Sequence, residues 1–233
     1  MAKDLEKEKK LAAKEAVKSI RDHMIIGLGT GSSAVYVIKE IGELVKNGLK
    51  IKAIPTSNAT QELAASLNIP LIDINSVNTI DITIDGADEF TSDLILIKGG
   101  GGALLKEKIV ASLTKEEIII ADSSKKVEAI GKFKVPIEVI PFASNYVLRQ
   151  IELLKGIGQI RTNADQPFIT DQGNYIIDAD FGLISNPAAL AEKLNGIEGI
   201  VGHGIFIDLA SKVIMGNNDS ILIFERKGAS HKS

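Results

Sequence analysis

Apolar and polar positions alternate along the first half of the chain with two different periods. Leu5 to Ile20 has apolar residues at helical spacing, with Ala13, Val17 and Ile20 on one face. Met24 to Leu28 is a short apolar run of strand length. Ser32 to Val45 returns to the helical period, with Val35, Ile38, Ile41 and Val45 on its apolar side. Ile51 to Ile54 reads as a strand, and Asn58 to Leu67 as a helix capped by Ser57 or Asn58. Ile80, Ile82 and Ile84 alternate with Asp81, Thr83 and Asp85, a strand pattern. Ala103 to Leu113 is helical and Glu117 to Ala121 a strand. Such β/α alternation predicts a mostly parallel sheet covered by helices on both faces.

The pattern changes near Val135. Pro136 and Pro141 punctuate the chain, and Asn145 to Leu154 has helical spacing. Phe168 to Thr170 and Tyr175 to Ala179 flank Asp171-Gln172-Gly173-Asn174, a hairpin signal. Asn186 to Leu194 reads as a helix with Ser185 or Asn186 as cap and Pro187 in its first turn. This segment of roughly 70 residues is near the lower limit for a core of its own. Three short strands follow, Ile205 to Leu209, Lys212 to Met215 and Ile221 to Phe224, some of which are expected to rejoin the first sheet. The polar stretch Lys227 to Ser233 has no periodicity.

Composition narrows the function classes. The 233 residues include no cysteine, which removes disulfides and thiolate chemistry, and a cytoplasmic location is expected. The formal net charge is −3, with basic residues scattered among acids, so no nucleic-acid partner is expected. Tryptophan is absent and aromatics are 4%, which argues against stacking platforms. No uninterrupted apolar run suits a membrane span. Met1-Ala2-Lys3-Asp4-Leu5-Glu6 lacks the apolar core of a secretion signal. His23, His203 and His231 have no metal-ligand spacing, so neither metal nor cofactor is expected.

Three polar clusters, Gly29 to Ser33, Asp85 to Glu89 and Asp122 to Lys125, fall where strands end, which is where open parallel sheets bind ligands, and a glycine run at Lys98 adds a fourth candidate. The first is Gly27-Leu28-Gly29-Thr30-Gly31-Ser32-Ser33, between a strand and a helix. Its glycines let backbone approach a ligand, and the helix N-terminus after it suits phosphate. Ser32 stands where a dinucleotide fingerprint needs glycine, and the next strand ends in Pro55-Thr56-Ser57 rather than in an acid. The alternative is a plain tight turn.

The second cluster, Asp85-Gly86-Ala87-Asp88-Glu89, offers three acids to a polyhydroxylated ligand or a divalent ion, or forms a solvated acidic loop. The third is Lys98-Gly99-Gly100-Gly101-Gly102, leading into a helix that carries Glu107. Successive N–H groups in such a turn form an anion nest, and Lys98 adds a full charge. In isolation Glu107 reads as a surface or capping acid. The fourth, Ala121-Asp122-Ser123-Ser124-Lys125, is a pocket rim or a capped turn.

In order and separation the four clusters closely resemble type A ribose-5-phosphate isomerases. The family pattern reads GxGTGST, DGADE, KGGGAALxxEK and ADxSK; here it reads GLGTGSS, DGADEF, KGGGGALLKEK and ADSSK. Ser33 stands for the usual threonine and Gly102 for alanine. The resemblance implies metal- and coenzyme-free interconversion of ribose 5-phosphate and ribulose 5-phosphate through a cis-enediol(ate), in the non-oxidative pentose phosphate pathway. It makes Glu107 the general base, and Asp85, Asp88 and Lys98 the groups that assist ring opening and manage the sugar oxygens. Thr30, Gly31, Ser32 and Ser33 bind the ligand at the first loop. Gly86, Ala87, Gly99, Gly100, Gly101 and Lys125 complete the pocket, and Lys9 or Lys10 matches a phosphate-binding lysine. It also implies a Rossmann-like domain over 1–134 and 207–233, a ferredoxin-like α+β domain over 135–206, and a homo-oligomer, dimer or tetramer. An amino-sugar phosphate deaminase and a non-catalytic sugar-phosphate sensor are the alternatives.

Overall fold

A computed structural model describes residues 4–226; the tail Lys227–Ser233, with His231, lies outside the described residues, as do Met1, Ala2 and Lys3. Helix α1 (Leu5–Ala16) is capped by Asp4, whose side chain accepts the Lys7 N–H at 3.0 Å. Then come β1 (Ile25–Leu28), α2 (Ser32–Lys46), β2 (Lys52–Pro55) and α3 (Asn58–Ser66). Of the two candidate caps for α3, Ser57 is the one used: its Oγ accepts the Thr60 N–H. Next are β3 (Ile80–Gly86), the short strands β4 (Glu89–Phe90) and β5 (Leu96–Ile97), α4 (Leu104–Leu113) and β6 (Thr114–Ala121).

The chain then builds β7 (Val135–Val139), α5 (Ser144–Leu153), β8 (Ile157–Ile160), the small pair β9 (Thr162–Asn163) and β10 (Gln166–Pro167), β11 (Tyr175–Asp180), α6 (Pro187–Asn195) and β12 (Ile200–His203). It closes with β13 (Ile205–Phe206), β14 (Lys212–Asn217) and β15 (Ser220–Glu225).

The main sheet has the order β15-β14-β6-β3-β1-β2, parallel throughout except for β15. Two of the three expected C-terminal strands therefore rejoin it. The third is shorter than its apolar run: only Ile205 and Phe206 pair, with β5. Ile82, Ile84, Ile118 and Ile120 are buried with Ile26, Leu28, Ile38 and Ile41 in the main core. Each such side chain contributes about 1.5–3 kcal/mol by leaving water. On α2 the centre of the buried face is Ala34, Val37, Ile38 and Ile41, while Val35 and Val45 are only half-buried at its margins. Gly42 lets Leu67 pack closely on α2, since a Cβ there would stand 3.0 Å from Leu67 Cβ.

The smaller sheet is antiparallel, in the order β12-β7-β11-β8, with α5 and α6 as its crossovers. A βαββαβ chain in that order is the ferredoxin-like arrangement. Asn186 caps α6 by accepting the Ala189 N–H at 3.0 Å, and Pro187 takes the first turn. The predicted hairpin around Gly173 is reduced to one bridge, Ile169 to Tyr175. Its first arm is not a strand, because β11 finds its ladder partners in β7 and β8 instead. The Thr170 side chain turns inward to donate to Glu138 Oε1 at 2.9 Å.

From β1 the chain winds outward to β2; from β3 it winds the other way to β6 and β14. The sheet thus changes winding direction between β1 and β3, and a crevice opens beyond their carboxyl ends.

Candidate active site

Both loops that leave this crevice's walls are glycine-rich or acidic. Residues 29–31 follow β1, and the Gly29 N–H donates to Ile84 O at 3.0 Å. A Cβ at Gly29 would stand 2.1 Å from Asp85 Oδ1, so glycine is what allows β1 and β3 to meet this closely. Asp85 Oδ1 accepts the N–H groups of Thr30 at 3.0 Å and Gly86 at 2.7 Å. Asp85 Oδ2 pairs with Lys98 Nζ at 2.9 Å. Lys98 Nζ also donates to Gly86 O at 2.6 Å and stands 3.5 Å from Glu107 Oε1. Asp85, Lys98 and Glu107 are 1%, 2% and 5% exposed, so this charge cluster is held almost out of water.

One ammonium serves several buried carboxyls, and the protonation states follow from that imbalance. Burial disfavours the Lys98 ammonium, but Asp85, Glu107 and Glu117 outweigh it and its pKa rises above the usual value. Burial raises the Glu107 pKa to about 8; Lys98 opposes the rise, and Asp85 and Asp88 add to it. Glu107 Oε2 is buried without a hydrogen-bond partner. Glu117, on β6 opposite Thr83, is a further buried acid that sequence reading placed at an ordinary strand start. Its pKa is also pushed well up, first by burial and then by Asp85.

A pocket opens over this cluster. Its lining is Thr30, Gly31, Ser32, Ser33, Gly86, Ala87, Asp88, Lys98, Gly99, Gly100, Gly101, Glu107 and Lys125. The four clusters expected from sequence therefore meet in one place, with informative exceptions. Asp85 lies beneath the floor rather than in the lining, because its oxygens are taken by Thr30, Gly86 and Lys98. Glu89 points away: its two oxygens accept the N–H groups of Gly131 at 2.8 Å and Phe133 at 2.7 Å. Strand alternation separates it from Asp88, whose Oδ2 accepts the Gly100 N–H at 2.7 Å. Asp122 forms a capped turn by accepting the Ser124 N–H at 2.9 Å, and only Lys125 of that cluster lines the pocket.

The Thr30 hydroxyl faces inward. It bonds to Thr56 at 2.7 Å, Ser57 at 2.9 Å and Thr60 at 3.2 Å, which anchors the loop. Ser32 and Ser33 begin α2 and both line the pocket, which places that helix's N-terminus at its wall. The two N-terminal lysines diverge. Lys9 Nζ reaches Ser32 Oγ at 3.3 Å, whereas Lys10 Nζ lies over the Tyr36 ring, 5.5 Å from its centroid.

Two basic residues at the site's borders were given no role from sequence, although Lys108 is the last residue of the KGGGGALLKEK motif. Lys108 is next to Glu107, and its Nζ donates to His203 O at 2.6 Å and Ile205 O at 3.0 Å, tying α4 to the segment between β12 and β13. Arg161 reaches from the smaller sheet to the carbonyls of Gly99 and Gly100. Among the described residues no group of three His, Asp or Glu side chains converges as a metal cage. No described helix is long and apolar enough to cross a membrane.

The sequence profile of the family described as ribose 5-phosphate isomerase A (phosphoriboisomerase A) matches residues 52–220. A ribose-5-phosphate isomerase A of Sphingopyxis alaskensis is 44% identical over 219 residues, 94% of this chain and 96% of the relative. One from Bacillus mycoides is 49% identical over 214 residues, 91% and 97% of the two chains. A D-ribose-5-phosphate isomerase solved in complex with phospho-erythronic acid superposes with a TM-score of 0.93 at 42% identity. It covers 96% of this chain and 100% of its own.

Proposed function

The chain belongs to the ribose-5-phosphate isomerase A family, and from that membership we propose how its pocket carries out the aldose–ketose isomerisation. The observation that carries the reading is Glu107: a carboxyl on the pocket wall, buried, with one oxygen near Lys98 and the other unpartnered. A general base needs a carboxylate shielded from water with its pKa lifted toward working pH, and burial supplies both.

In the open-chain aldose, Glu107 takes the proton from C2. The electron pair forms the C1–C2 double bond of a cis-enediolate, and the negative charge moves to O1. The proton on O2 transfers to O1, and Glu107 returns its proton to C1, leaving a ketone at C2. Lys98 and the Gly101 N–H of the glycine turn are preorganised donors for the charge that develops on these oxygens. Asp88, in the lining, assists ring opening. Asp85 acts through its neighbours by holding Lys98 and the backbone of Thr30 and Gly86. Ser32, Ser33 and the α2 N-terminus take the phosphate, with Lys9 and Lys125 at the rim.

The division into 1–134 with 207–233 and 135–206 is supported by the smaller sheet, whose four strands all fall in the second range. A homo-oligomer is supported by Phe142, Leu153 and Ile157, which are at least 75% exposed on that unit. A cytoplasmic setting suits a chain without cysteine.

The deciding assay is ketose formation from ribose 5-phosphate in the presence of EDTA. Turnover unaffected by the chelator is expected. No product refutes the isomerase chemistry, and activity restored only by added metal refutes the metal-free mechanism.

A further inference from the structure

Arg161 lies more than sixty positions from the glycine turn and outside the pocket lining, yet it grips that turn. Its Nη1 donates to Gly100 O at 2.9 Å and to Gly99 O at 3.3 Å. Its Nε and Nη2 fork onto Asp178, at 2.9 and 2.5 Å, a bidentate pair that fixes the guanidinium plane. The guanidinium carbon stands 5.7 Å from the centroid of Phe168. That ring fills the space beside Gly102: a Cβ there would lie 2.4 Å from Phe168 Cε1. Gly102 has φ +78°, which favours glycine.

The consequence follows from the planar trans peptide, in which C=O and N–H point in opposite directions. Drawing Gly100 O outward onto Arg161 aims the Gly101 N–H the other way, on the side where Gly101 lines the pocket. The next peptide back is pinned at both ends, with Gly99 O on Arg161 and Gly100 N–H on Asp88. Four glycines in a row have little preference of their own; the Gly102 N–H closes the turn onto Gly99 O at 2.9 Å, and Arg161 fixes how the turn is oriented against the pocket.

We infer that Arg161, locked by Asp178, is a positioning residue that aims the Gly101 N–H at the enediolate oxygens, which makes the smaller sheet a working part of the active site. This rests on the isomerase reading given above and deepens it. Arg161 touches no reacting atom; its effect passes through the Gly99–Gly100 and Gly100–Gly101 peptides.

The test uses the full chain and its Arg161→Ala and Arg161→Lys variants, with three readouts: kcat and KM for ribose 5-phosphate, the Ki of phospho-erythronic acid, and the Ki of inorganic phosphate. The acid presents a carboxylate where the enediolate charge develops, whereas phosphate probes only the α2 end. Arg161→Ala is expected to lower kcat by about 10- to 100-fold, the range for weakening an oxyanion donor. KM should stay within about threefold. The acid should lose affinity in parallel with kcat, and inorganic phosphate should bind as before. Arg161→Lys, able to hold one carbonyl but not the fork, should fall between. Should Arg161→Ala not fold, the Lys variant is judged by the same pattern. Turnover within twofold of the parent overturns the inference, as does equal weakening of both inhibitors, which marks general loosening. An inactive parent overturns the underlying reading instead.

Discussion

Replacing Glu107 by glutamine should abolish catalysis and stabilise the protein at alkaline pH. Burial lifts the Glu107 pKa from 4.5 to about 8 in the folded chain. Unfolded, it titrates near its ordinary value. Between these values the folded state holds a proton that the unfolded state has lost, so folding stability falls as pH rises through this window. The contribution is whole below pH 4.5 and gone above about 8. At about 1.4 kcal/mol per pH unit, the gap bounds the cost at about 5 kcal/mol. Relaxation and water entry soften such penalties, so a gain on the order of 2 kcal/mol is expected for Glu107→Gln at pH 9. At pH 5 the parent carries a neutral acid of the same shape, and the two proteins should melt alike. Urea unfolding at both pH values reads the effect together with the shifts that Glu107 imposes on Lys98 and Glu117. Turnover should fall by about 10²- to 10⁴-fold, the range for a general base, while phospho-erythronic acid still binds. Identical stability differences at pH 5 and pH 9, or turnover within tenfold of the parent, would refute the reasoning.

Other expectations follow from the same cluster. Lys98→Met leaves Asp85 facing Glu107 and Glu117 without a cation; a loss of about 3–5 kcal/mol is expected by chemical denaturation, together with loss of turnover. Gly102→Ala should slow the enzyme, since the new Cβ meets Phe168, and adding Phe168→Ala should recover part of the loss in a double-mutant cycle. Lys9→Gln should raise KM several-fold with kcat nearly unchanged, because Lys9 stands beside Ser32, at the end of the pocket proposed to take the phosphate; an effect on kcat alone would rule that placement out.

What the sequence made legible was whatever is encoded locally. The two periods located the helices and strands of the main sheet, and Asn186-Pro187 marked the start of α6. Three of the four polar clusters lie at ends of main-sheet strands, so their meeting followed from the β/α alternation; the Lys98 to Gly102 run follows β5, outside that sheet, and its place did not. Glu89 was misplaced because three acids in five residues were read as one group, although alternation from Asp88 puts its side chain on the opposite side. The burial of Glu117 was hidden, since Glu116-Glu117 at a strand start looks solvated and only the fold brings it beside Asp85, Lys98 and Glu107. Arg161 gave no sign, because its target is a pair of backbone carbonyls in another sheet's loop. The choice between Lys9 and Lys10 depends on the rotation of α1, which a two-residue register cannot supply.

The early helix α1 is packed against strand β14. Glu8, on that helix, accepts the N–H of Asn218 at 2.7 Å, 210 positions later in the chain. A Cβ at Gly216 would stand only 2.2 Å from Glu8 O, so the helix backbone rests directly on the strand. During synthesis the chain emerges in order. Helix α1 therefore leaves the ribosome long before β14 completes the surface that covers it, and the part of its face not met by α2 and β6 must wait while the whole smaller sheet is made. The main sheet is a late-closing structure, its two oldest and youngest segments joining in the same step. Truncations that spare every catalytic side chain but remove β14 and β15 should leave α1 without its seat, and a nascent chain held short of residue 212 should expose it to chaperones.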